Sequence, residues 1–128
     1  MKKDQSKTPL FTALKEYHDR GVTPFDVPGH KHGKGITELA DFLGKKVLEV
    51  DVNSMKPLDN LNKPTGVIKE AEELAADAYS ADYACFLVNG TTSSVQGMIM
   101  TVCKPGDKII LPRNVHKSVI NALILSGS

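Results

Sequence analysis

Cysteine is scarce in this 128-residue chain, and neither sign of charge prevails. The two cysteines, Cys85 and Cys103, each sit in an apolar run of the kind that packs inside, so no disulfide framework is read and reduced, cytoplasmic thiols are expected. Sixteen basic and 15 acidic residues leave a formal net charge of +1, which removes the electrostatic case for nucleic acid or an anionic membrane as a partner. Residues 83–103 carry no charge, but Asn89, Gly90, Thr91, Thr92, Ser93, Ser94 and Gln96 interrupt them, and no membrane span is expected. Lys2 and Lys3 lead into Asp4, Gln5, Ser6 and Lys7 where an export signal needs an apolar stretch. His30, His32 and His116 have no companion acidic cluster at ligand spacing, so no metal site is expected. Internal repeats and low-complexity tracts are also missing, and the length suits one domain.

What is present is a succession of short periodic segments. Residues 8–20 read as a helix with Thr8 as cap, Pro9 in the first turn, and Leu10, Ala13, Leu14 and Tyr17 on one face. Thr23 to Gly35 is a loop set by two prolines and three glycines. From Ile36 to Pro64 the pattern is mixed, with a helical hint at Leu39, Phe42 and Leu43 and a short Val47–Val52 run. The segment after Gly66 is the strongest amphipathic helix, with Ile68, Ala71, Leu74, Ala75 and Ala78 inward and Glu70, Glu72, Glu73 and Asp77 outward.

The most informative stretch follows. Tyr83 to Val88 is a mostly apolar run suited to a strand buried on both faces; Asn89-Gly90-Thr91-Thr92-Ser93-Ser94 is a small, hydroxyl-rich turn; residues 94–103 have helical spacing. A turn at a helix N-terminus offers unpaired backbone N–H groups and a favourable dipole to an anion, and Gly90 permits close approach. Ser and Thr are also the usual helix caps, so capping competes with anion binding here. The spacing fits neither G-x-x-x-x-G-K-[ST] nor G-x-G-x-x-G, which disfavours a nucleotide. Lys108 to Leu111 reads as a second strand and residues 117–126 as a last helix with Val119, Ile120, Leu123 and Ile124 inward. Strand–helix–strand–helix implies an α/β fold with parallel strands, whose ligands gather beyond the strand carboxyl ends. That order places Asn89–Ser94 and Arg113-Asn114-Val115-His116-Lys117 at one rim. His116 offers a stacking face, a ring nitrogen or a helix-terminal surface residue; Lys117 offers an amine or a solvated charge.

Four motifs occur in order: Phe25-Asp26-Val27-Pro28-Gly29-His30-Lys31; Asp59-Asn60-Leu61 with Pro64-Thr65-Gly66-Val67-Ile68; Asn89-Gly90-Thr91-Thr92-Ser93; and Arg113-Asn114-Val115-His116-Lys117-Ser118. Together they resemble the N-terminal part of the bacterial ornithine/lysine/arginine decarboxylases, most closely the smaller arginine-decarboxylase-like members. The resemblance implies a fold-type-I architecture. Residues 1–65 would form an N-terminal helical and loop arm with active-site-entrance loops, and residues 66–128 the first βαβα portion of the large domain that binds pyridoxal 5'-phosphate. It implies decarboxylation of a basic amino acid on the way to polyamines, in a cytoplasmic homo-oligomer. Gly90, Thr91, Thr92 and, more weakly, Ser93 would hold the cofactor phosphate, and His116 would stack on its ring. No catalytic residue is carried over: in the family the Schiff-base lysine, in a Ser-x-His-Lys setting, and the aspartate that pairs with the pyridinium nitrogen come downstream of residue 128. Lys117 lies in the stacking-histidine motif and is not assigned the Schiff-base role.

A fragment of this kind is expected to be inactive alone, because one helix N-terminus contributes up to ~2 kcal/mol toward an anion whereas micromolar binding needs about 8 kcal/mol. Three other readings stay open: a non-catalytic phosphate-binding module, a dimer-assembly module, and another fold-type-I lyase or aminotransferase.

Overall fold

The structure is a computed structural model that describes residues 2–128. Six helices account for its regular structure: α1 (Pro9–Asp19), α2 (Thr37–Leu43), α3 (Lys45–Glu49), α4 (Val67–Ala78), α5 (Gly90–Val102) and α6 (Lys117–Ser126), with a 3-10 turn at Lys56–Leu58. The chain divides into two compact units, one ending at Cys85 and the other running from Phe86 to Ser128. No helix among the described residues is long and apolar enough to cross a membrane.

In the first unit, α1 begins at Pro9, whose missing N–H costs nothing in a first turn. Thr8 occupies the cap position, but its side chain makes no capping bond and its hydroxyl lies 3.3 Å from that of Thr12. α1 packs on α4 and on the 3-10 turn, and Tyr17, Leu58, Ile68, Leu74 and Ala76 are buried. The outward face of α4 is tied to the N-terminal segment: Lys3 pairs with Glu73 at 2.5 Å and Lys7 with Glu70 at 3.7 Å, while Asp77 accepts from the Lys3 amide and from Gln5 at 3.0 Å each. The mixed region from Ile36 resolves into α2 and α3, packed together around Ala40 and Leu48. The Val47–Val52 run thus begins within α3 and continues past its end.

The second unit departs most from expectation. Neither expected strand forms: 83–88 and 108–111 belong to no ladder, and the sole β pairing among the described residues is an isolated antiparallel bridge between Met55 and Asp59. A strand buried on both faces needs neighbouring strands for its backbone and layers on each side for its side chains. Neither is supplied, and Val88 and Ile110 are 80% and 99% exposed. Cys85 is exposed as well, contrary to its apolar setting, and both cysteines are free thiols.

α5 starts four residues earlier than the periodicity indicated, so Gly90-Thr91-Thr92-Ser93 is the first helical turn and Asn89 the cap position. α6 has the expected bounds but a different inward face. Ser118, Ala122 and Ser126, one turn apart, are buried, whereas Ile120 and Ile124 are exposed. Small side chains at i, i+4 and i+8 let α6 approach α5 closely. The large aliphatic residues are left for the outside.

Candidate functional site

The two C-termini of α5 and α6 are fastened together. The Pro105-Gly106 turn, three residues past α5, donates the Gly106 N–H to the Gly127 carbonyl at 2.9 Å, and Gly127 is the left-handed C-cap of α6. A Cβ at Gly127 would stand in ordinary contact with Pro105 at 3.4 Å, and it is the φ of +72° that favours glycine there. The two helices also pack on one another. Gly90, Thr91, Thr92 and Ser93 form the first turn of α5 and His116 stands at the cap of α6, although the strands that were to precede them are not formed.

The two N-termini are equipped differently. No side chain caps α5, so its first N–H groups are unspent, and Gly90 has φ +73° with open space where a Cβ would stand. Thr91 and Thr92 are exposed. The Ser93 hydroxyl is turned back, donating to the Gly90 carbonyl at 2.9 Å, which makes it the least available of the three. α6, by contrast, is capped by His116: the Nδ1 atom accepts from the Ser118 N–H at 3.2 Å and lies 2.9 Å from the Ser118 hydroxyl. Imidazole is an uncommon cap; the bond restrains the ring, and His116 is exposed. Lys117 is exposed and makes no hydrogen bond or ion pair among the described residues.

Two further anchored groups, both in the first unit, carry roles that residue patterns did not reveal. Asp59, at φ +68°, folds its carboxylate over the start of α4, accepting N–H groups of Asn60 (2.8 Å), Thr65 (3.0 Å), Gly66 (2.8 Å) and Ile68 (3.1 Å). Burial opposes its ionisation, but the donors from Thr65, Asn60, Gly66 and Lys69 outweigh that and hold the carboxyl far below the usual carboxylate range. The Asp59…Thr65-Gly66 motif is thus a helix cap supplied from a distance. An Asp ahead of a Pro-Thr-Gly helix start is the signal that could have found it. His30 is the second: Nδ1 accepts from the Gly33 N–H at 3.2 Å, and Nε2 lies 3.0 Å from an Asp51 carboxylate oxygen. With Nδ1 accepting, Nε2 is the donor to Asp51. Pro28, Gly29 and Lys31 complete that loop, and the Lys31 ammonium donates to the Asp26 carbonyl.

Comparison with known proteins gives a consistent picture. The family model described as "Orn/Lys/Arg decarboxylase, major domain" matches residues 8–128. An arginine decarboxylase of Bacillus subtilis (strain 168) is 47% identical over 125 residues, which cover 97% of this chain and 26% of that protein. An arginine decarboxylase of Bacillus anthracis is 50% identical over 125 residues, 97% of this chain and 25% of that protein. An inducible ornithine decarboxylase of Lactobacillus sp. (strain 30a) is 36% identical over 132 residues, 97% of this chain and 18% of that protein. The chain therefore spans about a quarter of the length of the two arginine decarboxylases.

Proposed function

This chain belongs to the Orn/Lys/Arg decarboxylase family, and on that footing we propose that it is the N-terminal portion of a pyridoxal-phosphate-dependent decarboxylase of arginine, lysine or ornithine, with residues 66–128 contributing part of the cofactor-binding domain of a fold-type-I enzyme. The reading is supported by two features of the second unit, an uncapped helix N-terminus at Gly90 and a His116 ring restrained by its bond to Ser118. The residues fit the cofactor on chemical grounds. The unspent N–H groups of α5, the exposed hydroxyls of Thr91 and Thr92 and the bare Cα of Gly90 suit a phosphate dianion. His116, its orientation set by Ser118, suits a flat electron-poor heterocycle.

When bound, pyridoxal phosphate supplies the electron sink for the bonding pair left behind as the carboxylate departs as carbon dioxide. This chain's own contribution is grip and orientation. The first turn of α5 holds the anion, and the cap at Ser118 stops the His116 ring from rotating, so the entropy of fixing that side chain is already spent. In the full enzyme the substrate is a basic amino acid, the assembly a homo-oligomer and the compartment the cytoplasm. The 128-residue chain by itself is inactive, since one helix N-terminus contributes ~2 kcal/mol where micromolar retention needs about 8 kcal/mol.

The test is a chimera in which this chain replaces the matching 125 residues of the Bacillus subtilis arginine decarboxylase. It should decarboxylate arginine and retain cofactor through gel filtration, and His116→Ala within it should weaken retention about tenfold, or 1.4 kcal/mol. A folded chimera that binds cofactor equally well with and without His116 would remove the stacking role.

A further inference from the structure

The first unit contains a cavity of about 540 Å³, walled by the end of α1, by α2 and α3, and by the His32-Gly33-Lys34 turn. That volume lies within the range of small-molecule sites. The wall formed by the turn is conformationally expensive. Lys31, His32 and Gly33 all have positive φ, at +48°, +56° and +83°, and the first two are not glycine, a cost tolerated where surrounding structure over-determines it. Here it is imposed twice. Gly33 is wedged so closely that an added Cβ would lie 3.3 Å from both Ala40 and Leu48, and His30, 10% exposed, clasps the turn between the Gly33 N–H and Asp51.

The lining carries unspent polar groups of both signs. The side chains of Lys34, Asp41 and Lys45 make no hydrogen bond or ion pair among the described residues, and neither does the His32 ring. Tyr17 is 7% exposed, yet no buried side-chain polar atom lacks a partner and its hydroxyl has none among the described residues, so that hydroxyl stands at an accessible surface. At the rim His18 and Glu49 face one another at 3.7 Å. The described residues contain no cluster of three metal-ligating side chains. A polyanion would meet Asp41 and Glu49, and a polycation would meet Lys34 and Lys45. A small molecule carrying one carboxylate and one ammonium group satisfies both sets.

We propose that this cavity is an accessory binding site for a small zwitterion of the α-amino-acid class, its carboxylate held by Lys34 and Lys45, its ammonium group by Asp41, and its loop wall set by His30 as a positioning residue. All the lining residues lie in the first unit, so the proposal does not rest on the cofactor reading of the second.

The 128-residue chain labelled with nitrogen-15 is titrated with glycine, with L-arginine, and separately with acetate and methylammonium. Glycine or arginine should move the amide signals of Gly33, Lys34, Ala40, Asp41 and Lys45 saturably, and each single-charge probe should bind about tenfold more weakly. Lys34→Ala and Asp41→Asn, both at exposed positions, should each weaken binding about tenfold with the rest of the spectrum unchanged. His30→Ala should weaken it similarly, and His30→Asn, whose side-chain oxygen can replace Nδ1 as acceptor for the Gly33 N–H, should recover part of the loss. No saturable movement at about 10 mM amino acid, equal response to acetate, or indifference to Asp41→Asn would each overturn the site. Failure of His30→Asn to recover binding beyond His30→Ala would overturn the positioning role.

Discussion

The two units of this chain solve the same packing problem with different materials. The first holds α1 against α4 with large side chains, Tyr17, Leu58, Ile68 and Leu74, and fastens the edges with ion pairs from Lys3 and Lys7 and a carboxylate cap from Asp59. The second holds α5 against α6 with Ile99 and a stripe of Ser118, Ala122 and Ser126, leaving Val102, Ile110 and Ile124 outside. Charge divides as unevenly. Fourteen of the 15 acidic residues precede Phe86, and the second unit carries four cationic side chains against the single carboxylate of Asp107, a formal +3. The lesson is one of division of labour: the first unit is self-braced and carries a formal −2, whereas the second leaves apolar surface exposed and carries the opposite charge.

That contrast breaks first, and most strongly, at the buried aliphatic residues. Leu74→Ala should cost about 2–4 kcal/mol and lower amide protection throughout α1 and α4, read by hydrogen exchange, with α5 and α6 unaffected. Ile99→Ala should do the reverse. If either change depresses protection equally in both units, they are not separate packing problems and the comparison fails.

Asp59 sharpens the electrostatic half of the contrast. Asp59→Ala should cost about 1–2 kcal/mol in denaturant unfolding near neutral pH, as loss of a helix cap does. The sign with pH follows from the depressed carboxyl. The stabilisation is fully present above the unfolded value of about 3.9 and disappears as pH falls through the folded one, so wild type and Asp59→Asn should converge in acid. Divergence that persists in acid would mean that packing of the side chain, and not its charge, braces α4.

The smallest effect is expected at Gly90. With φ +73° and open space where a methyl group would stand, Gly90→Ala costs only the conformational preference, about 1 kcal/mol, measurable as a shift in denaturant midpoint. A stabilising change instead would show that the left-handed turn at the start of α5 is not held in solution.

Much of the helical framework was legible because periodicity and punctuation agree. Pro9 opens α1, Gly66 precedes α4, and α6 runs from Lys117 to Ser126 as spacing indicated. The start of α5 was not, because small hydroxylated residues suit a turn and a first helical turn equally well. Gly90, Thr91, Thr92, Ser93 and His116 could be nominated from residue type and order, but the capping of α6 by His116 and the inward turn of the Ser93 hydroxyl could not. Both depend on rotamers set by neighbours. The carboxylate of Asp59 over α4 and the His30–Asp51 bond were hidden for a related reason, since they reach six to nine positions on to Thr65, Gly66 and Ile68, and 21 positions on to Asp51, across irregular backbone.

Local preference, by itself, determined the positions of α1, α4 and α6 and which residue types gather in the loops, since those choices depend on neighbours within a turn or two. Only the tertiary structure decided which faces are buried. Val119 and Ile120 have the hydrophobicity to face inward, yet Ser118, Ala122 and Ser126 do so, because close approach of two helices rewards small side chains where they touch. The apolar stretches at 83–88 and 108–111 follow the same rule: hydrophobicity can nominate a strand, but pairing requires a neighbour that satisfies its backbone.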